Sequence, residues 1–181
     1  MENTSESTAS SSIIALKYGF INGLFSFLFS TLVNVMGWAE QFQESIGWIS
    51  TVWSLVLSVT ISYLCLREYR IQNEGFISYG QGLGLATLLG AISGLVAGGF
   101  NYIYIQFIDN TVIQRQMDIA RERMEDQGLS ASQIQSAEEM TRLFMNPGMQ
   151  FVIVVIMSVV FNFFLGLIVS AVVKKEKPVF E

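Results

Sequence analysis

Asn162 is the residue with the most chemistry to offer. It stands at the midpoint of a long apolar stretch, Phe151 to Val173, where an amide must find partners. Asn101 and Asn22, in two other apolar stretches, are the nearest candidates in type. Met117, Met124, Met140, Met145 and Met149 form a second group, and thioethers are soft ligands suited to Cu(I). Nothing completes such a site: the chain has no His, its one Cys lies elsewhere, and no tight Met-x-Met cluster occurs. Without His, the Ser-His, Cys-His and His-metal arrangements are impossible. Glu138 and Glu139 are adjacent, so on a helix they point to different sides. No glycine-rich phosphate loop follows a strand, and the acidic residues do not match a calcium loop. The expectation is a protein that is not an enzyme and has no catalytic residues, cofactor or metal site.

These residues hang on a simple frame. Of 181 residues, 51% are hydrophobic and 14% charged, with a net charge of -5; soluble domains usually carry about a quarter charged residues. Every charged residue except Lys17 lies outside four apolar stretches: Ile13 to Met36, Trp48 to Leu66, Gly82 to Ile108, and Phe151 to Val173. A helix needs about 20 residues to cross the hydrocarbon core, and each stretch has enough. The stretches do not alternate as barrel strands do. The fold class is therefore an all-α integral membrane protein. It has four transmembrane helices (13–36, 48–66, 82–108 and 149–173) and a helical hairpin, 109–148, between the third and fourth.

Residues 1–12 are rich in Ser and Thr and lack a basic region; they are expected to be a disordered tail, not a cleaved signal. Cys65, without a partner, is read as a small hydrophobe. Arg67 and Arg70 follow the second stretch, and Lys174, Lys175 and Lys177 open the basic tail 174–181. Lys17 can reach the same interface along its alkyl stem. The loop 37–46 has no basic residue, and in 109–148 four Arg are outnumbered by seven acidic residues. The bias toward basic cytoplasmic segments puts both termini in the cytoplasm and the hairpin outside. Trp38 and Trp48 bracket the short loop and suit the outer interface.

Counting at intervals of four reveals a ridge in every stretch. The first has Asn22, Ser26, Ser30 and Asn34; the second has Ser50, Ser54, Ser58 and Ser62. The third has Gly82, Ala86, Gly90, Gly94 and Gly98; the fourth has Ser158, Asn162, Gly166 and Ser170. Residues four apart share one face of a helix. Small residues there let backbones approach, and Ser or Asn can hydrogen-bond across the contact. The third and fourth ridges are the expected helix-packing residues. A polar path through the bundle is the competing reading, although no Asp or Glu lies within any stretch.

The segment 109–148 reads as two amphipathic helices. The first carries Ile113, Met117, Ala120 and Met124 on one stripe and ends before Gly128. Ser130 and Gln133 form a capping-box pattern for the second, which carries Ile134, Ala137, Met140 and Phe144. Glu138 is spaced to pair with Arg142, and Asn146-Pro147-Gly148 ends the segment. The arms can pack on each other, lie on the membrane surface, or dock a partner. Met117, Met124, Met140 and Phe144 are the candidate partner-binding residues.

Several turn and boundary motifs carry a family resemblance. Arg67-Glu68-Tyr69, Ile77-Ser78-Tyr79-Gly80-Gln81, the Met124 to Ser130 turn and Met145-Asn146-Pro147-Gly148 resemble the bacterial membrane proteins catalogued as domain of unknown function 4199. The likeness covers roughly residues 13–177. It implies a multi-pass protein of the bacterial inner membrane and supplies no catalytic residues. Beyond the lipid bilayer itself, the expected partners are a membrane or periplasmic protein, or a second copy of the chain. Nucleic acid is not expected, because the chain is net acidic. The expected function is a scaffold or accessory subunit working through its extracytoplasmic hairpin, favoured by that hairpin and by the absence of acidic residues in the stretches; the alternative is a small-solute transporter or pore acting as an oligomer. Polar ridges in tight contact favour the first, and a wet cavity between them favours the second.

Overall fold

A computed structural model describes residues 4–177. It is helical nearly throughout: α1 Thr4–Val35, α2 Trp38–Gln41, α3 Gln43–Gln72, α4 Tyr79–Ile103, α5 Val112–Asp126, α6 Ala131–Phe144 and α7 Pro147–Val173. No named strand occurs among the described residues, and a π-helical turn, Tyr104–Ile108, prolongs α4. Four helices are long and apolar enough to cross a membrane: Ser11–Val35, Ser45–Gln72, Tyr79–Ile108 and Pro147–Val173.

Two boundaries differ from the sequence expectation. Helix α1 runs back to Thr4 where a disordered tail was expected. No Gly or Pro interrupts the chain before Gly19, and extending an anchored helix costs far less than nucleating one. The expected loop 37–46 is itself mostly helical, holding α2 and the start of α3. Gly37, at φ 67, takes the left-handed conformation that ends a helix and turns the chain within a few residues. The first three residues of the expected tail and the last four of the basic tail lie outside the described residues.

Local chemistry sets the other ends. Gly75 at φ 87 closes α3, its N–H donating to the Arg70 carbonyl at 2.8 Å. Ser78 and Gln81 form a reciprocal capping box at the start of α4, with bonds of 2.9 and 3.2 Å. Gly128 at φ 75 ends α5, and the Ser130–Gln133 box starts α6. At α7 the Asn146 side chain accepts from the Met149 N–H at 2.9 Å, with Pro147 as the first helical residue.

Helix α4 is central and packs along both α7 and α1, while α3 leans on α1 and α7. Buried apolar residues gather at one end of the bundle, around Ala15, Cys65, Leu66, Ile77, Leu89 and Val169. That end is also clasped by polar groups. Lys17 Nζ and the Tyr18 hydroxyl both donate to one Glu68 carboxylate oxygen, at 2.8 and 2.7 Å. Ile77 and Lys175 exchange two backbone bonds of 2.9 Å, and Arg70 donates to the Val173 carbonyl at 3.1 Å. The boundary motifs noted in the sequence thus tie the α3–α4 turn to the segment after α7. Lys177 bonds Glu74 at 2.7 Å and holds its carboxyl below the usual carboxylate range.

The hairpin arms α5 and α6 pack side by side. Glu138 does not take its expected partner Arg142. It faces Arg121 at 3.7 Å on the other arm, because the neighbouring helix brings a guanidinium to it. Arg121 also bonds Glu125 at 2.9 Å, and the two carboxylates strengthen its hold on its proton. Asp109 accepts from Thr111 and pairs with Arg115 where α5 begins, which lowers its pKa, with the Thr111 hydroxyl bond the leading cause.

Candidate functional site

The α4 and α7 ridges meet along their length. A methyl group added to Gly90 would come within 2.5 Å of the Asn162 Cβ, and one on Gly94 within 2.8 Å of the Val155 Cα. Gly82 faces Ser170, Ala86 faces Gly166, and Gly98 faces the Phe151 ring. Ser158 donates across the seam to the Gly90 carbonyl at 2.8 Å. The structure therefore brings all nine candidate packing residues to one interface. Lipid tails are as apolar as leucine, so such contact rests on close packing and hydrogen bonds instead of on exclusion of water.

Helix α1 reaches α4 the same way. Gly19 faces Leu89 and Ile92, and Gly23 faces Ser93 and Val96. The sequence reading missed these two glycines, although their spacing of four was visible beside the Asn22 ridge. Asn22 donates its amide N–H to the Ser93 Oγ at 3.1 Å, and Ser93 passes its own proton to the Gly19 carbonyl at 3.1 Å.

Between these seams lies a cavity of about 420 Å³ with walls from α1, α3, α4 and α7. Its polar lining is Asn22 and Ser26 from α1, Ser50, Thr51, Ser54 and Ser58 from α3, Ser93 from α4, and Ser158 and Asn162 from α7. Its apolar wall includes Ala97, Val154, Met157 and Phe161. No charged side chain lines it. Along α3, Ser62 and Ser58 are buried while Ser54 and Thr51 are exposed, so the space widens toward the start of α3. Exposure along α1 rises in the same direction, from buried Asn22 to exposed Ser30.

The two amides at this cavity are only 2% and 1% exposed for Asn22 and Asn162. They do not bond each other, and Asn101 is not the partner of either. Asn162 donates to the Ser158 carbonyl of its own helix at 2.9 Å. With Gly90 pressed against its Cβ, its side chain runs along α7 instead of reaching across. Both amide oxygens, Asn22 Oδ1 and Asn162 Oδ1, are buried without a partner. Buried amide oxygens normally accept at least one hydrogen bond; Ser62 Oγ and Ser170 Oγ, away from the cavity, lack a partner in the same way.

The candidate partner-binding residues do not share one open face. Met117 and Met124 are half-buried in the hairpin. Met140 and Phe144 are exposed, together with Leu143, which the sequence reading left out. Cys65 is fully buried. Among the described residues, no three His, Cys, Asp or Glu side chains gather as a metal site would require.

Comparison with curated proteins and with solved structures finds no match. The family described as Protein of unknown function (DUF4199) matches residues 17–175. That match takes in most of the first long apolar helix, the other three, the hairpin, and the clasp residues from Lys17 to Lys175. The chain belongs to this family of proteins of unknown function.

Proposed function

We propose that the protein is a multi-pass protein of the bacterial inner membrane that admits a small polar solute to the cavity between α1, α3, α4 and α7. The role is that of a transporter or pore, with no catalysis. The observation that carries this reading is a cavity walled by four helices and lined by nine Ser, Thr and Asn residues, with no charged side chain among them. All four walls come from one chain, so a single protomer suffices for the site. The basic cluster of Arg67, Arg70, Lys174, Lys175 and Lys177 supports a cytoplasmic location for both termini. On that orientation the hairpin and the wide end of the cavity face outward.

Swelling of proteoliposomes under a glycerol or urea gradient tests the reading. Wild-type protein should accelerate swelling over empty liposomes, and Asn162→Leu, which places an apolar side chain at the cavity, should return it to baseline. Equal rates for protein and empty liposomes would overturn the proposal.

The second reading is an accessory subunit working through the hairpin, favoured by the exposed apolar edge of Met140, Leu143 and Phe144. Its partner would be a membrane or periplasmic protein. Copurification from native membranes with and without residues 109–148 decides it. A stable partner lost with the hairpin supports this role, and its absence removes it.

A further inference from the structure

The hydrogen bonds around the cavity specify more than polarity. A backbone carbonyl only accepts, so the bond to the Ser158 carbonyl fixes the Asn162 amide with its N–H on that side. Its oxygen is left on the other. Asn22 is fixed in the same way. Ser93 spends its proton on the Gly19 carbonyl and can only accept from the Asn22 N–H, leaving Asn22 Oδ1 free. Ser158 donates to the Gly90 carbonyl at 2.8 Å. Thr51 and Ser54 donate to the Gly47 and Ser50 carbonyls, each at 2.8 Å. Each of these bonds leaves an acceptor lone pair unspent, and each amide also keeps a second N–H. Ser26, Ser50 and Ser58 have hydroxyls free to rotate. The lining has no carboxylate to neutralise a cation and no Lys or Arg to neutralise an anion. An ion there would be desolvated without a counter-charge, which is costly.

We infer that the cavity selects small uncharged solutes that hydrogen-bond, of the alcohol, polyol or primary amide class, held by the lining hydroxyls and the amides of Asn22 and Asn162. The apolar wall of Val154, Met157 and Phe161 faces the carbon side of such a solute. This rests on the reading of the cavity as a space that solutes enter.

The test is thiol labelling of Ser58→Cys in a Cys65→Ala chain, in liposomes. Four methanethiosulfonates serve as probes: hydroxyethyl (neutral, with a hydroxyl), propyl (its neutral isostere without one), trimethylammonioethyl (cation) and sulfonatoethyl (anion). Each rate is divided by that of Gln127→Cys on the exposed α5–α6 turn. The hydroxyethyl reagent should be favoured over the propyl one by roughly threefold, the factor expected for one hydrogen bond in a membrane protein. Both charged reagents should be slower still. Asn22→Leu and Asn162→Leu should each reduce this advantage, whereas Leu95→Ala, at an exposed position outside the lining, should preserve it. Should either Asn variant fail to fold, the four-reagent comparison in the parent chain decides alone. Equal rates for the two neutral reagents, or a faster charged one, would overturn the inference while leaving an entered cavity in place. No labelling by any reagent would overturn both.

Discussion

Two pairs of helices use the same spacing to opposite ends. On α4 and α7 small residues every four positions bring backbones together, so that Gly90 and Gly94 leave no room for a side chain. On α3 the residues four apart are Ser50, Ser54 and Ser58, and they line an open cavity. The difference lies in one group of atoms. Glycine has no Cβ, so the opposing backbone can occupy its surface; serine keeps helices apart and satisfies its hydroxyl on its own helix, as Ser54 does on Ser50. A ridge of small residues therefore says which face turns inward. Whether that face is dry depends on what opposes it: Ser170 packs against Gly82 of α4, whereas Ser50 and Ser54 border the cavity.

The contrast is broken most directly at the seam. Gly94→Leu forces a branched side chain against the Val155 backbone and should cost about 1–3 kcal/mol or more. Ser54→Leu, at the open wall, should stay within about 0.5 kcal/mol of wild type. Thermal unfolding in detergent checks both, and equal losses would erase the distinction between seam and wall. Next comes the clasp at the closed end. Glu68→Gln removes the carboxylate that Lys17 and Tyr18 share. Because Lys17 is half exposed, the loss should be smaller than at the seam, while solute flux persists. A collapse of flux in this variant would show that the closed end is part of the path.

Asn162→Leu should be milder in stability, about 0.6 kcal/mol, the average for a membrane side-chain hydrogen bond. Its effect belongs to flux. The smallest effect is one of pH at the Glu74–Lys177 pair. Glu74 has a folded pKa below its unfolded value, so its contribution is present above the unfolded carboxyl pKa. It is lost as pH falls through the lowered folded value. A carboxyl NMR titration should place Glu74 below ordinary glutamates and return it to normal in Lys177→Gln.

The sequence made the long helices legible through uninterrupted apolar runs, and made the α4–α7 seam legible through Gly90, Gly94 and Asn162. It also revealed the caps at Gly128 and Ser130, because those depend on neighbours in the chain; Asn146-Pro147-Gly148 reads there only as a stop, and the structure makes Asn146 the N-cap of α7. Helix α2 escaped notice because four residues carry too little periodicity. The Arg121–Glu138 pair escaped because it joins two arms, and Gly19 and Gly23 were overlooked beside a more polar ridge. The cavity was not legible. Ser93 lies off every counted ridge, and the gap around it is set by how far α3 stands from α4, a distance that local spacing does not encode.

The central claim is that the Ser54 wall meets water or solute, not lipid. Electron paramagnetic resonance of a nitroxide at Ser54→Cys, in a Cys65→Ala chain in liposomes, reads this directly. A label at the exposed position Leu95→Cys gives the lipid reference. The account predicts that a polar nickel chelate relaxes the Ser54 label more than oxygen does, with the reverse at Leu95. Oxygen-dominated relaxation at both positions would contradict it.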